Sequence, residues 1–184
     1  MSPYKKYKSM RLPHYDYSSE GYYFITICTK QKTNIFGKIL ENKMSLNKYG
    51  KIVKRQWQWL EKQYSYISLD KYIIMPNHFH GIIIIDSSCV GTGRDTKINK
   101  YPCVDAGRDP HLRGIKIKPI TEIIGAFKTT SSKLIHQNGF PEFRWQRSFY
   151  DRIIDNEKSL DNVREYIILN PSKWNLDRNN PKNY

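Results

Sequence analysis

His78 and His80 stand two apart in the run Ile74-Met75-Pro76-Asn77-His78-Phe79-His80-Gly81-Ile82-Ile83. Side chains at i and i+2 of a β-strand point to one face. The two imidazoles therefore project side by side, and Phe79 turns the other way. The β-branched run Ile82-Ile83-Ile84-Ile85 that follows has the content of a central strand. Two parallel imidazoles on a rigid strand make a ready pair of metal ligands. Ordinary hydrogen-bonded core histidines would share this spacing, so the pair alone leaves both readings open.

A second signal is Glu165-Tyr166-Ile167-Ile168-Leu169-Asn170-Pro171. On a helix, Tyr166 and Asn170 are four apart and point the same way. A phenol then sits beside an amide oxygen, a hard neutral ligand able to complete a site with two imidazoles. A core tyrosine and an asparagine closing a helix would look the same. Tyr150 is the competing nucleophile. It lies in the aromatic-basic segment 143–150, where packing or base stacking accounts for it, and it lacks a polar partner at helical spacing.

The elements that must position these groups read as an α+β domain. Tyr22 to Cys28 has strand propensity, and 36–40 begins a second strand. Ser45 is the expected N-cap of a helix reaching about Gln63, with Leu46, Tyr49, Val53, Trp57 and Leu60 as its apolar stripe; Gly50 weakens that helix near its start. A strand from Leu69 to Met75 follows. Pro76 disfavours a central position, so a bend or bulge should deliver the histidines. Pro119 opens a helix from Ile120 to about His136, buried through Ile120, Ile123, Ile124, Phe127, Leu134 and Ile135. The segment 143–150 reads as extended. A last helix spans about 155–170, with a break near Lys158, and ends at Pro171. The tail 173–184 is polar and should pack loosely, anchored by Trp174. The order suits an antiparallel sheet with helices on one face.

The 184 residues fit one domain, 1–184, with a real core. Composition is 39% hydrophobic and 14% aromatic, which excludes a disordered chain. Net charge is +14, from 31 Lys+Arg against 17 Asp+Glu, and favours a polyanion, nucleic acid before membrane. No stretch approaches the ~20 apolar residues of a membrane span. The basic N-terminal arm lacks the apolar core of a secretory signal. Three cysteines, Cys28, Cys89 and Cys103, lack a zinc spacing and suit a reducing cytoplasm. The stretch at about 87–114 has no apolar period and carries a near-repeat, Cys89-Val90-Gly91-Thr92-Gly93-Arg94-Asp95 against Cys103-Val104-Asp105-Ala106-Gly107-Arg108-Asp109. It reads as a flexible basic insertion. Lys5, Lys6, Lys8 and Arg11 of the arm, with Lys128, Arg144 and Arg147, are candidate DNA-binding residues.

Pro76-Asn77-His78-Phe79-His80, followed by a helix bearing Tyr166-Ile167-Ile168-Leu169-Asn170-Pro171, resembles the REP-associated tyrosine transposases, which belong to the single-tyrosine HUH transposases. The resemblance extends to Tyr23-Phe24-Ile25-Thr26, to Gly125-Ala126-Phe127-Lys128 and to the segment 145–151, and departs at 87–114. It implies a ferredoxin-like fold and a cut in hairpin-associated single-stranded DNA. It implies that His78, His80 and Asn170 hold a divalent metal and that Tyr166 is the nucleophile. Imidazole with amide oxygen suits Mg²⁺ or Mn²⁺. Attack would leave a 5′-phosphotyrosine and a free 3′-OH. The branch includes monomers, and a monomer is expected over a homodimer. Two other classes remain open: a single-stranded nucleic-acid-binding module without chemistry, and a metal-dependent hydrolase using water.

Overall fold

A computed structural model describes Pro13 and residues 15–86 and 116–183. The arm residues Lys5, Lys6, Lys8 and Arg11, the insertion at 87–114, and Cys89 and Cys103 lie outside the described residues.

Four antiparallel strands make the main sheet in the order β4-β5-β1-β6: β1 is Gly21–Cys28, β4 Ile67–Ile74, β5 His78–Ile85 and β6 Tyr150–Ile154. The two central strands are apolar on both faces, as strands covered on both sides must be. Tyr23, Ile25 and Ile27 of β1 share one face with Phe79, Ile83 and Ile85 of β5, against α1 (Lys48–Gln63) and α2 (Ile120–Gln137). Phe24 and Ile82, with Ile154 of β6, face the other way and are covered by Leu160, Val163 and Ile167 of α3 (Glu157–Leu169). The α+β sheet carries its helices as expected, with one refinement. Only α1 and α2 share a face; the second apolar face of β1 calls α3 to the opposite one.

Pro76 and Asn77 form the turn of the β4–β5 hairpin rather than a break within a strand, and the bulge falls earlier, between Leu69 and Tyr72. Ser45 does not cap α1. It lies in a strand the sequence did not suggest, β3 (Lys43–Leu46), paired with β2 (Gly37–Leu40) through Glu41 and Asn42, both at positive φ as a tight hairpin turn requires. The cap is Asn47, whose side chain accepts from the Tyr49 and Gly50 N–H groups. Gly50 is not a weakness: a Cβ there would lie 2.3 Å from the Phe36 carbonyl oxygen. Trp57 packs over Gly81 and against Phe79, ring centroids 4.4 Å apart, bracing the strand that bears the histidines.

The segment 143–149 buries Phe143 and Trp145, meets Thr29, just past β1, in an isolated bridge at Trp145, and becomes strand at Tyr150. Helix α3 is continuous, without a break at Lys158, and Asn156 caps it through the Ser159 N–H. The tail does not pack loosely. It folds through two short 3₁₀ turns, Trp174–Leu176 and Pro181–Asn183, onto the histidine end of the sheet, burying Asn179 and Asn180. Among the described residues, no helix is long and apolar enough to cross a membrane.

Candidate active site

The β1–β5 register sets Cys28 opposite His78 and Thr26 opposite His80, and β6 adds Tyr150 opposite Thr26. Both histidines are buried, 0% and 2% exposed, with ring centroids 4.6 Å apart. Nδ1 of His78 lies 2.8 Å from Asn77 Oδ1. Nδ1 of His80 lies 2.8 Å from Thr26 Oγ1. Protons assigned to both Nδ1 atoms satisfy these contacts and leave both Nε2 lone pairs facing the site, as metal-bound imidazoles require. Burial pushes His78 down to about 3, aided by the charges of Lys32 and Arg178; burial, then His78 and Arg178, holds His80 well below its usual range. Both imidazoles are neutral at pH 7.

Helix α3 carries Tyr166 to this face. Its Oη lies 3.3 Å from His80 Nε2, and its ring meets Phe24 edge-on at 6.0 Å. Tyr166 stays 44% exposed at the cleft. Burial pushes its phenol up, Asp177 adds to this, and a hydrogen bond with Asn170 opposes it. Asn170 closes α3 and is 4% exposed, with Oδ1 buried and unpaired.

The tail supplies Asp177, which sequence reasoning missed. Its Oδ2 lies 3.5 Å from His78 Nε2, an atom that is buried without a hydrogen bond. His78, His80 and Asp177 each offer one ligand atom within 4.8 Å of the others. Ligands about 2.1 Å from a common cation lie about 3–4 Å apart. The His78–His80–Asp177 donor set, with His78 Nε2 buried and unpaired, therefore fits a divalent cation after small adjustment.

A cleft of about 630 Å³ opens beside Tyr166 between α3 and β6. Arg152, Lys173 and Arg178 line it, with Tyr150 on the β6 wall. The other expected DNA contacts lie elsewhere. Lys128, Arg144 and Arg147 line a separate groove of about 550 Å³ between α2 and the 143–147 segment. The Lys128 ammonium donates to the Gln146 and Arg147 carbonyls at 2.6 and 2.9 Å, and Arg144 donates to those of Pro141 and Phe143. Lys128 thus pins the segment to α2, and Arg144, itself exposed, also meets His136 of α2 at 2.9 Å. Arg147 remains on the groove wall.

A protein of Haemophilus influenzae (strain ATCC 51907 / DSM 11121 / KW20 / Rd), known only as uncharacterized, is 38% identical over 171 residues, spanning 93% of this chain and 91% of that one. The chain belongs to its family. No family model matches the chain. The solved structure of a REP-associated tyrosine transposase bound to a REP hairpin superimposes with a TM-score of 0.52 at 16% identity, covering 97% of this chain and 77% of that one. The chain has that transposase fold, as its motifs suggested. A candidate transposase from Deinococcus radiodurans aligns more weakly, with a TM-score of 0.45 at 14% identity over 87% of this chain and 96% of that one.

Proposed function

We propose that the protein is a metal-dependent tyrosine transposase that cuts and rejoins hairpin-associated single-stranded DNA. The reading rests on one observation: the Tyr166 hydroxyl lies 3.3 Å from buried His80, whose neighbour His78 turns an unpaired Nε2 toward the Asp177 carboxylate at 3.5 Å. Thr26 and Asn77 hold the imidazoles, and Phe24 packs against both His80 and Tyr166 to aim the phenol at the cleft. Tyr166 enters as a neutral phenol. Its Oη–P bond forms as the P–O3′ bond breaks; the phenolic proton leaves and the released 3′ oxygen gains one. The products are a 5′-phosphotyrosine and a 3′-OH, and reversal restores the phosphodiester without ATP. Mg²⁺ or Mn²⁺ held by His78, His80, Asp177 and Asn170 would polarise the scissile phosphate as a Lewis acid. Arg152, Lys173 and Arg178 would hold the strand in the cleft. Tyr166 reaches His80 of its own chain, an arrangement that would let a monomer act in cis. The transposase with this fold was solved with a REP hairpin, which supports a hairpin substrate here.

Asp177 gives a second reading some weight, because two histidines and a carboxylate also serve water-activating metal hydrolases. A single assay separates them. The protein is incubated with 3′-labelled, hairpin-flanked single-stranded DNA and Mn²⁺, then run on a denaturing gel. A covalent protein–DNA band supports the tyrosine reading, and cleavage without that band supports the hydrolase. Binding without cleavage would reject both.

A further inference from the structure

Asn77 is fully buried in the β4–β5 turn. Its Nδ2 donates to the Lys32 carbonyl at 2.8 Å and to the Asn179 carbonyl at 2.7 Å. Carbonyl oxygens only accept, so the amide cannot be flipped. Oδ1 must therefore face His78 as an acceptor, and the His78 proton must sit on Nδ1. The residue that fixes this tautomer also grips the tail. Two residues before Asn179, Asp177 is held in turn: its Oδ1 accepts from the Asn179 N–H at 2.6 Å, leaving Oδ2 turned toward His78. One amide thus spans two ligand atoms that lie far apart in sequence.

We propose that Asn77 is a positioning residue that couples the docked tail to His78, so that His78 and Asp177 form one metal-binding unit only while Asn77 bridges them. The proposal rests on the metal reading above. An Asn→Asp change separates the two jobs, because a carboxylate still accepts from His78 but has no N–H for Asn179.

The test uses the full chain, with Mn²⁺ titrated calorimetrically into wild type, Asn77→Ala, Asn77→Asp, Asp177→Ala and the Asn77→Ala/Asp177→Ala double variant. Supports of this kind are worth about 10–100-fold in metal affinity. Asn77→Ala should lose that much. Asn77→Asp should match Asp177→Ala, and Asn77→Ala should cost clearly less in the Asp177→Ala background than in wild type. Two readouts do not depend on metal. Ring ¹⁵N shifts should report the Nδ1–H tautomer of His78 in wild type and Asn77→Asp, and a mixture in Asn77→Ala. Trypsin should cut after Lys173 or Arg178 faster in both Asn77 variants, with the core untouched. Thermal melting checks folding, and if Asn77→Ala does not fold, Asn77→Asp carries the comparison. Wild-type affinity in both Asn77 variants, additive losses, or an unchanged tautomer and tail would overturn the coupling. A wild-type chain that binds no Mn²⁺ would instead reject the metal reading, and the tautomer and trypsin results would still decide whether Asn77 couples tail to histidine.

Discussion

Tyr166 and Asp177 differ in how they could be found. Tyr166 lies at helical spacing from Asn170, and the resemblance to the tyrosine transposases joins both to the histidine pair. Asp177 has no such signal: it sits in a polar tail and gains meaning only when Asn77 and Lys32 pin that tail over His78. Tertiary packing of this kind leaves no period to read. Tyr166→Phe should remove the covalent adduct, a loss of at least ~10³-fold. The stability cost should stay near 0.5–1.5 kcal/mol, one hydrogen bond of a half-exposed group. Tyr150→Phe should cut normally on the same denaturing gel, since Tyr150 stands on β6 across the cleft. Reversal of the two results would move the nucleophile. For the metal, Asp177→Ala should weaken Mn²⁺ binding about 10–100-fold and more than Asn170→Ala, because it removes a charge where the other removes a neutral oxygen that water can replace. Equal losses in titration calorimetry would make Asp177 a mere neighbour.

At the scale of elements, the strong periods were legible and the short pieces were not. Helix α2 and the central strands follow their apolar patterns closely. Strand β3 escaped because Lys43-Met44-Ser45-Leu46 is too short to establish a period, and the turn beside it depends on two non-glycine residues at positive φ. What seats α3, and hence Tyr166, can be weighed by magnitude. Arg164 meets Asp70 in the β4 bulge at 2.6 Å, but the arginine is 36% exposed, so the pair should be worth at most about 1 kcal/mol. Ile167, buried beside Tyr166 against Phe24 and Ile82, should cost about 2–5 kcal/mol on truncation to Ala. Urea unfolding of Ile167→Ala and Arg164→Ala checks this order. A larger loss from Arg164→Ala would make the ion pair, rather than the packing, the anchor of the helix.

Over the whole molecule, the +14 charge pointed to a polyanion before any residue could be assigned. The cleft localises part of it, and replacing Arg152, Lys173 and Arg178 together should flatten the log–log salt slope of single-strand binding by roughly 0.7 for each phosphate no longer neutralised. An unchanged slope would move the DNA elsewhere. The buried histidines impose a second global property. Unfolded histidine titrates near 6.5, whereas burial holds His78 at about 3 and His80 well below its usual range. Above pH ~7 neither state takes up a proton at these residues, so they make no pH-dependent contribution. Below ~6.5 the unfolded chain binds protons that the native chain refuses, and stability falls with pH until the folded values are reached. A histidine kept neutral through that window contributes about 1.4 kcal/mol per pH unit. Between pH 6.5 and 4.5 His78 alone would remove about 2–3 kcal/mol, a large part of the stability of many domains, and His80 acts in the same direction. In EDTA, urea-derived stability should therefore be level above pH 7 and fall steeply below 6. His80→Gln should reduce the slope, and Mn²⁺ should move the fall to lower pH by holding the imidazoles neutral. A flat profile from pH 7 to 4.5 would mean that the native chain admits protons at His78 and His80, which contradicts their burial.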